Sequence, residues 1–236
     1  MRLTLQEIDK RFGDKKVLKK ASFTFEKGKI YGLLGRNGAG KTTLFNCIGG
    51  DIEYEGGNVI LSEENKEDSP LDYSRVGYVY SSPILPEFLT GHEFVKFFID
   101  INKDRIEDLL SIDEYFDIIK IDEKDRYRLI KGYSHGMKNK IQMLCIIITR
   151  PAIILLDEPL TSFDVVVALQ IKNLLKEIKS EHIIIFSTHI LQLATDLCDE
   201  IVVLNDGVLE LLDHEVMKSP EFEDEIMDIL KEERND

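Results

Sequence analysis

Apolar residues along the chain follow two rhythms. Leu3 and Leu5, then Phe23 and Phe25, alternate with polar neighbours, and the unbroken run Ile30 to Leu34 follows. That spacing predicts strands, the first two parted by a polar turn at Gly13 to Lys16. Further strands are expected at Asn58 to Leu61, after Gly56-Gly57, and from Arg75 to Tyr80. From His92 to about Thr149 the rhythm lengthens to that of helices, with Phe94, Phe97, Phe98 and Ile101 on one face. Past Pro151 come a strand at Ile153 to Leu156, an amphipathic stretch with Ala168, Ile171, Leu174, Leu175 and Ile178 in phase, and a strand at Ile183 to Phe186. Strand, helix, strand predicts a parallel crossover. A second helical face, Ile190, Leu193, Ala194 and Leu197, leads to Ile201 to Leu204 and Val208 to Leu212, joined by the hairpin signal Asn205-Asp206-Gly207. The acidic tail Glu221 to Asp236, around Phe222, Ile226, Ile229 and Leu230, suits a short amphipathic helix and equally a frayed end.

Composition narrows the classes. With 236 residues, 43% hydrophobic and 31% charged, the chain has enough apolar material for a core without staples, which excludes disorder, collagen and miniprotein scaffolds. Lys and Arg total 30 against 44 Asp and Glu, a net charge of −14 and a pI near 4.9, so a free-standing nucleic-acid binder is not expected. Small anionic ligands held by local dipoles stay allowed. Cys47, Cys145 and Cys198 lie far apart and read as buried free thiols in a reducing compartment. The most apolar region, Ile141 to Leu156, is interrupted by Gln142, Arg150 and Pro151, so no membrane span is expected and a membrane role requires a partner chain.

Candidate chemistry begins directly after Ile30 to Leu34, with Gly35-Arg36-Asn37-Gly38-Ala39-Gly40-Lys41-Thr42-Thr43, then Leu44, Phe45 and Ile48 at helical spacing. This is GxxxxGK[ST] between a strand and a helix, a phosphate loop rather than a mere flexible turn. Its glycines let successive N–H groups converge on phosphate oxygens, and a helix opening near Gly40 turns its positive end to them. Lys41 adds charge toward the β and γ phosphates, and the Thr42 hydroxyl is suited to Mg²⁺. Ile153 to Leu156 run into Asp157-Glu158-Pro159, so Asp157 is expected at the carboxyl edge of a buried strand, where ligands sit in open α/β sheets. There Asp157 would hold Mg²⁺ through water, and Glu158 would orient or deprotonate an attacking water.

These residues resemble the ATP-binding subunit of an ABC transporter, over nearly the whole chain. Tyr133-Ser134-His135-Gly136-Met137 looks like the family signature LSGGQ, Ser187-Thr188-His189 is similar to the switch-histidine segment, Thr161-Ser162-Phe163-Asp164 resembles the D-loop, and Arg11-Phe12 matches the region whose aromatic stacks on adenine. The resemblance implies an α/β fold: a P-loop NTPase core with a mostly parallel sheet, an N-terminal antiparallel β subdomain and an inserted α-helical subdomain. It divides one domain, 1–236, into 1–90 (β subdomain and phosphate loop), 91–149 (helical insert with the signature), 150–215 (rest of the core) and 216–236 (acidic tail). It implies Mg-ATP on Phe12 and residues 35–43, with His189 holding Glu158 and water at the γ-phosphate. Ser134, His135, Gly136, Met137 and Asp164 would face the ATP of a second copy of the subunit. Ser134 suits an N-cap whose following amides present a second anion-binding helix start.

Two departures qualify the transfer. Where the family commonly has Gln after the strand Val76 to Tyr80, touching Mg²⁺ or water, this chain has Ser81, too short for the same gap; a water substitutes, Ser82 or Glu87 contributes, or the coupling is rewired. In the signature, His135 replaces a glycine and Met137 a glutamine, so the His135 side chain must point away from the phosphates. The expected function is an ATPase subunit on the inner face of the cell membrane, driving a separate permease, with an exporter-like lean. A soluble ABC ATPase of an assembly system, such as iron-sulfur scaffold maturation, and a weakly hydrolysing regulatory module are the alternatives. The segment from Ser81 to Phe98 is where the resemblance sets the groove for the permease, with Phe94 and Phe97 expected in the helical core.

Overall fold

A computed structural model of the chain describes residues 1–106, 108–159, 165–189 and 191–212. Strands β1 (Arg2–Phe12) and β2 (Lys15–Glu26) turn back on each other at Gly13, whose φ of +57° suits a residue without a Cβ. Their register sets Leu3 opposite Phe25 and Leu5 opposite Phe23, so the alternating apolar residues share a face. β3 (Ile30–Leu34) and α1 (Lys41–Gly49) follow, then β4 (Gly56–Ser62), which pairs antiparallel with β1, and the short β5 (Ser69–Pro70), which the sequence pattern does not reveal. The order of this antiparallel sheet is β2-β1-β4-β5.

A second sheet is built from β3, β6 (Val76–Val79), β7 (Ile153–Asp157), β8 (Ile183–Ser187), β9 (Glu200–Asn205) and β10 (Val208–Leu211), in the order β10-β9-β3-β8-β7-β6. All its pairings are parallel except that of β9 with β10, a hairpin through Asp206 and Gly207, both at positive φ. Every residue of β3, β7 and β8 is buried, because both faces of this sheet are covered. One face packs Tyr31, Leu33, Leu155 and Ile185 against Leu3, Leu5, Phe25 and Phe45 of the antiparallel sheet and α1. The other packs Ile154, Leu156 and Phe186 against Met143, Ile171 and Leu175 of α5 (His135–Thr149) and α6 (Val165–Ile178). A smaller cluster seats α7 (Leu191–Leu197) on Leu34, Ile201 and Val203.

Between β6 and β7 lie α2 (Gly91–Asn102), α3 (Ile112–Ile118), α4 (Glu123–Arg126) and α5. Reciprocal caps, Thr90 with Glu93 and Ser111 with Glu114, start α2 and α3. Phe94, Val95, Ile99, Phe116, Ile130, Ile141 and Leu144 form the core of this helical segment. The buried face of α2 is therefore rotated from the expected one. Phe97 is 54% exposed and Ile101 62% exposed, because α2 carries apolar residues on two faces and the one holding Val95 and Ile99 meets the other helices. Arg75 belongs to a 3-10 turn before β6 rather than to the strand. Cys47 is buried, but Cys145 and Cys198 are partly exposed; burial still pushes their thiols up, to about 11, 12 and 12, so all three stay protonated at neutral pH. Among the described residues no helix is long and apolar enough to cross a membrane. The acidic tail and the segment 161–164, with Asp164, lie outside the described residues.

Candidate functional site

Parallel pairing of β3, β8 and β7 brings three carboxyl ends together, and the candidate residues sit there. Asp157 of β7 is in register with Ser187 of β8, and the Thr188 N–H donates to the Leu33 carbonyl at 3.3 Å. The loop that leaves β3 turns at Gly38 and Gly40, φ +84° and +107°, and Gly40 caps α1. A Cβ on Gly40 would meet Val17 at 2.7 Å, so both conformation and space require glycine. Lys41 is 6% exposed; its ammonium donates to the Gly35 carbonyl at 2.8 Å and the Arg36 carbonyl at 3.3 Å, folding across the loop. Burial lowers its pKa, opposed by the charges of Glu158 and Asp157.

Asp157 is 2% exposed and accepts hydrogen bonds from two hydroxyls, Thr42 Oγ1 at 2.8 Å and Ser187 Oγ. Glu158 follows with φ +50°, a left-handed turn held by its N–H, which donates to the Ser187 carbonyl at 3.2 Å. The turn directs the Glu158 carboxylate to His189, with Nδ1 and Oε2 2.6 Å apart. A cavity of about 550 Å³ opens over these groups, lined by Asn37, Gly38, Lys41, Thr42, Thr43, Asp157 and Glu158. Phe12 stands at its edge, half-exposed, with the Lys10 ammonium 5.2 Å from its ring centre. Ser81 also lines the cavity, whereas Glu87 pairs with Lys138 of α5 at 2.5 Å. The Thr42 hydroxyl and Asp157 carboxylate are hard oxygen donors side by side at the cavity wall, a set that suits Mg²⁺, which keeps few protein ligands and completes its shell with water and phosphate.

Ser134, His135, Gly136 and Met137 do not line this cavity. They start α5, where the Ser134 hydroxyl accepts from the Met137 N–H at 3.2 Å.

The model of the family described as ABC transporter matches residues 18–161. An uncharacterized ABC transporter ATP-binding protein of Methanocaldococcus jannaschii is 34% identical over 208 residues, 87% of this chain and 75% of its own. The chain belongs to the ABC transporter family. Within that family it is an ATP-binding subunit, and the P-loop NTPase architecture expected from the motifs is the one found. Among relatives of this ATP-binding subunit, a protein of Fusobacterium nucleatum named as an Fe(3+) ions import ATP-binding protein is 28% identical, covering 89% of this chain and 57% of its own. In fold, the subunit is similar to a dimeric ATP-binding cassette in a post-hydrolysis state bound to ADP and Pi, with a TM-score of 0.73 and 22% identity, over 89% of this chain and 99% of the other.

Some site residues of this ABC subunit carry no signal in the sequence alone. Lys15 and Val17 line the cavity from the start of β2, a position that only the pairing of β1 and β2 discloses. Sequence marks Ser187 only as part of the segment before His189; the register of β7 and β8 makes it a partner of Asp157.

Proposed function

We propose that this subunit binds Mg-ATP in the 550 Å³ cavity, hydrolyses the γ-phosphate, and works as a dimer on a separate membrane permease, moving a substrate outward. The observation that carries this reading is the pairing of Thr42 with Asp157 at 2.8 Å at the cavity wall, beside Glu158, which lines the same wall and pairs with His189 at 2.6 Å. Loop amides from Gly38 to Thr43 and the Lys41 ammonium, released from the Gly35 and Arg36 carbonyls, take the phosphates. Thr42 and Asp157 hold Mg²⁺, which when bound neutralises phosphate charge. Glu158 orients water and accepts its proton, and His189 keeps the Glu158 carboxylate aimed. Phe12 offers a π face to the adenine. Ser134, His135, Gly136 and Met137 at the start of α5, with Asp164, face the nucleotide of the second subunit. The outward direction rests on the resemblance of the phosphate loop and of Tyr133-Ser134-His135-Gly136-Met137-Lys138 to exporter-type subunits, against one relative named for import.

Replacing the proposed base tests the reading. Glu158→Gln should keep ATP affinity, trap a nucleotide-bound dimer in size-exclusion chromatography, and lower turnover by about 100-fold or more. Turnover at the parent rate would show that Glu158 is not the base.

A further inference from the structure

Gln142 lies in the middle of α5, 6% exposed, between the buried residues Ile141 and Met143. A buried amide must find partners, and here they are backbone. Its Oε1 accepts from the Tyr80 N–H at 3.2 Å, and its Nε2 donates to the Tyr80 carbonyl at 3.1 Å and to Asn139 Oδ1 at 3.2 Å. The reverse amide orientation would set donor against donor and acceptor against acceptor, so the network fixes the side chain one way. β6 is the last strand of its sheet, and Tyr80 comes directly after it. The amide thus binds the N–H and the C=O of one residue at the sheet edge as a neighbouring strand would. Helix and strand can approach this closely because residue 77 is glycine, where a Cβ would meet Ile146 at 2.4 Å and Pro151 at 2.5 Å.

Tyr80 is held from its other side too. Its ring stacks on Tyr78 with centroids 4.0 Å apart, its hydroxyl donates to Asp51 at 2.9 Å, and the Tyr78 hydroxyl donates to Asn46 of α1 at 2.9 Å. The next residue is Ser81, at the wall of the cavity. We propose that Gln142 is a positioning residue for hydrolysis: its bidentate hold on Tyr80 fixes Ser81 at the nucleotide cavity and ties the placement of α5 to it. This rests on the hydrolytic reading above.

Gln142→Leu keeps the volume and removes every bond. Gln142→Glu keeps the acceptor for the Tyr80 N–H, loses the donor while ionised, and regains it on protonation. The purified full chain is assayed for ATP turnover and for hydrogen exchange across residues 79–82. Gln142→Leu should lower kcat by about tenfold, the effect of one or two buried hydrogen bonds, with KM for ATP within about twofold. Gln142→Glu should show the same deficit at alkaline pH and return toward the parent as pH falls. Exchange across 79–82 should quicken in both variants at alkaline pH. A parent-like kcat in Gln142→Leu, with only a lower Tm, overturns the positioning role, and unchanged exchange overturns the hold on Tyr80. A parent that binds ATP without turning it over defeats the hydrolytic reading instead. Exchange then decides: ATP-induced protection across 79–82 that vanishes in Gln142→Leu supports the tie, and protection that persists overturns it.

Discussion

Lys41 pays for its position. Its side chain is almost wholly buried, and that burial lowers its pKa although Glu158 and Asp157 pull the other way. The two carbonyls it touches are weak compensation for lost hydration, whereas a phosphate would supply both charge and geometry. The cation is therefore placed for a ligand more than for the fold. Lys41→Ala should lower ATP affinity by about 100-fold in calorimetry, the scale of a lost charge-assisted hydrogen bond, while thermal unfolding of the nucleotide-free chain stays cooperative. Unchanged affinity would sink the phosphate-loop assignment. Such roles were readable because the motif fixes residue types at set offsets, Lys41 and Thr42 after Gly40, Glu158 after Asp157. Gln142 was not readable, because a lone amide in an apolar run looks like an interruption until its partner, 62 residues earlier in the chain, is known.

Among elements, the close contact of α5 with β6 is the most exacting. Gly77 admits it, and the stiff Pro151 ring leaves no easy retreat. Gly77→Ala should cost about 1 to 3 kcal/mol in urea denaturation through overpacking, and it should lower ATP turnover as well by prising Gln142 from Tyr80. Periodicity exposed the buried strands β3, β7 and β8 and the β9–β10 turn, since their residues are uniformly apolar or carry a turn signature. It failed at α2, where Phe97 and Ile101 complete a second apolar face that tertiary packing leaves outside. It missed β5, whose two residues, Ser69 and Pro70, carry no alternation to detect.

At the scale of the molecule, the net charge of −14 and the lack of a membrane-crossing helix among the described residues contrast with exposed apolar side chains near α2. Ile84, Phe88, Phe97 and Ile101 are all open to solvent, which suits a protein partner better than water. From detergent-solubilised membranes the tagged chain should carry a multi-span protein with it. The double change Phe88→Asp and Phe97→Asp should release that protein without altering ATP affinity, and its retention would assign the contact elsewhere. Inside the molecule, β8 enters the sheet between β3 and β7 and ends at Ser187, with His189 two residues beyond, so it borders both the loop's support and the acid's. A slip of that strand would break its register with both neighbours at once, so the loop's support and the acid's are disturbed together.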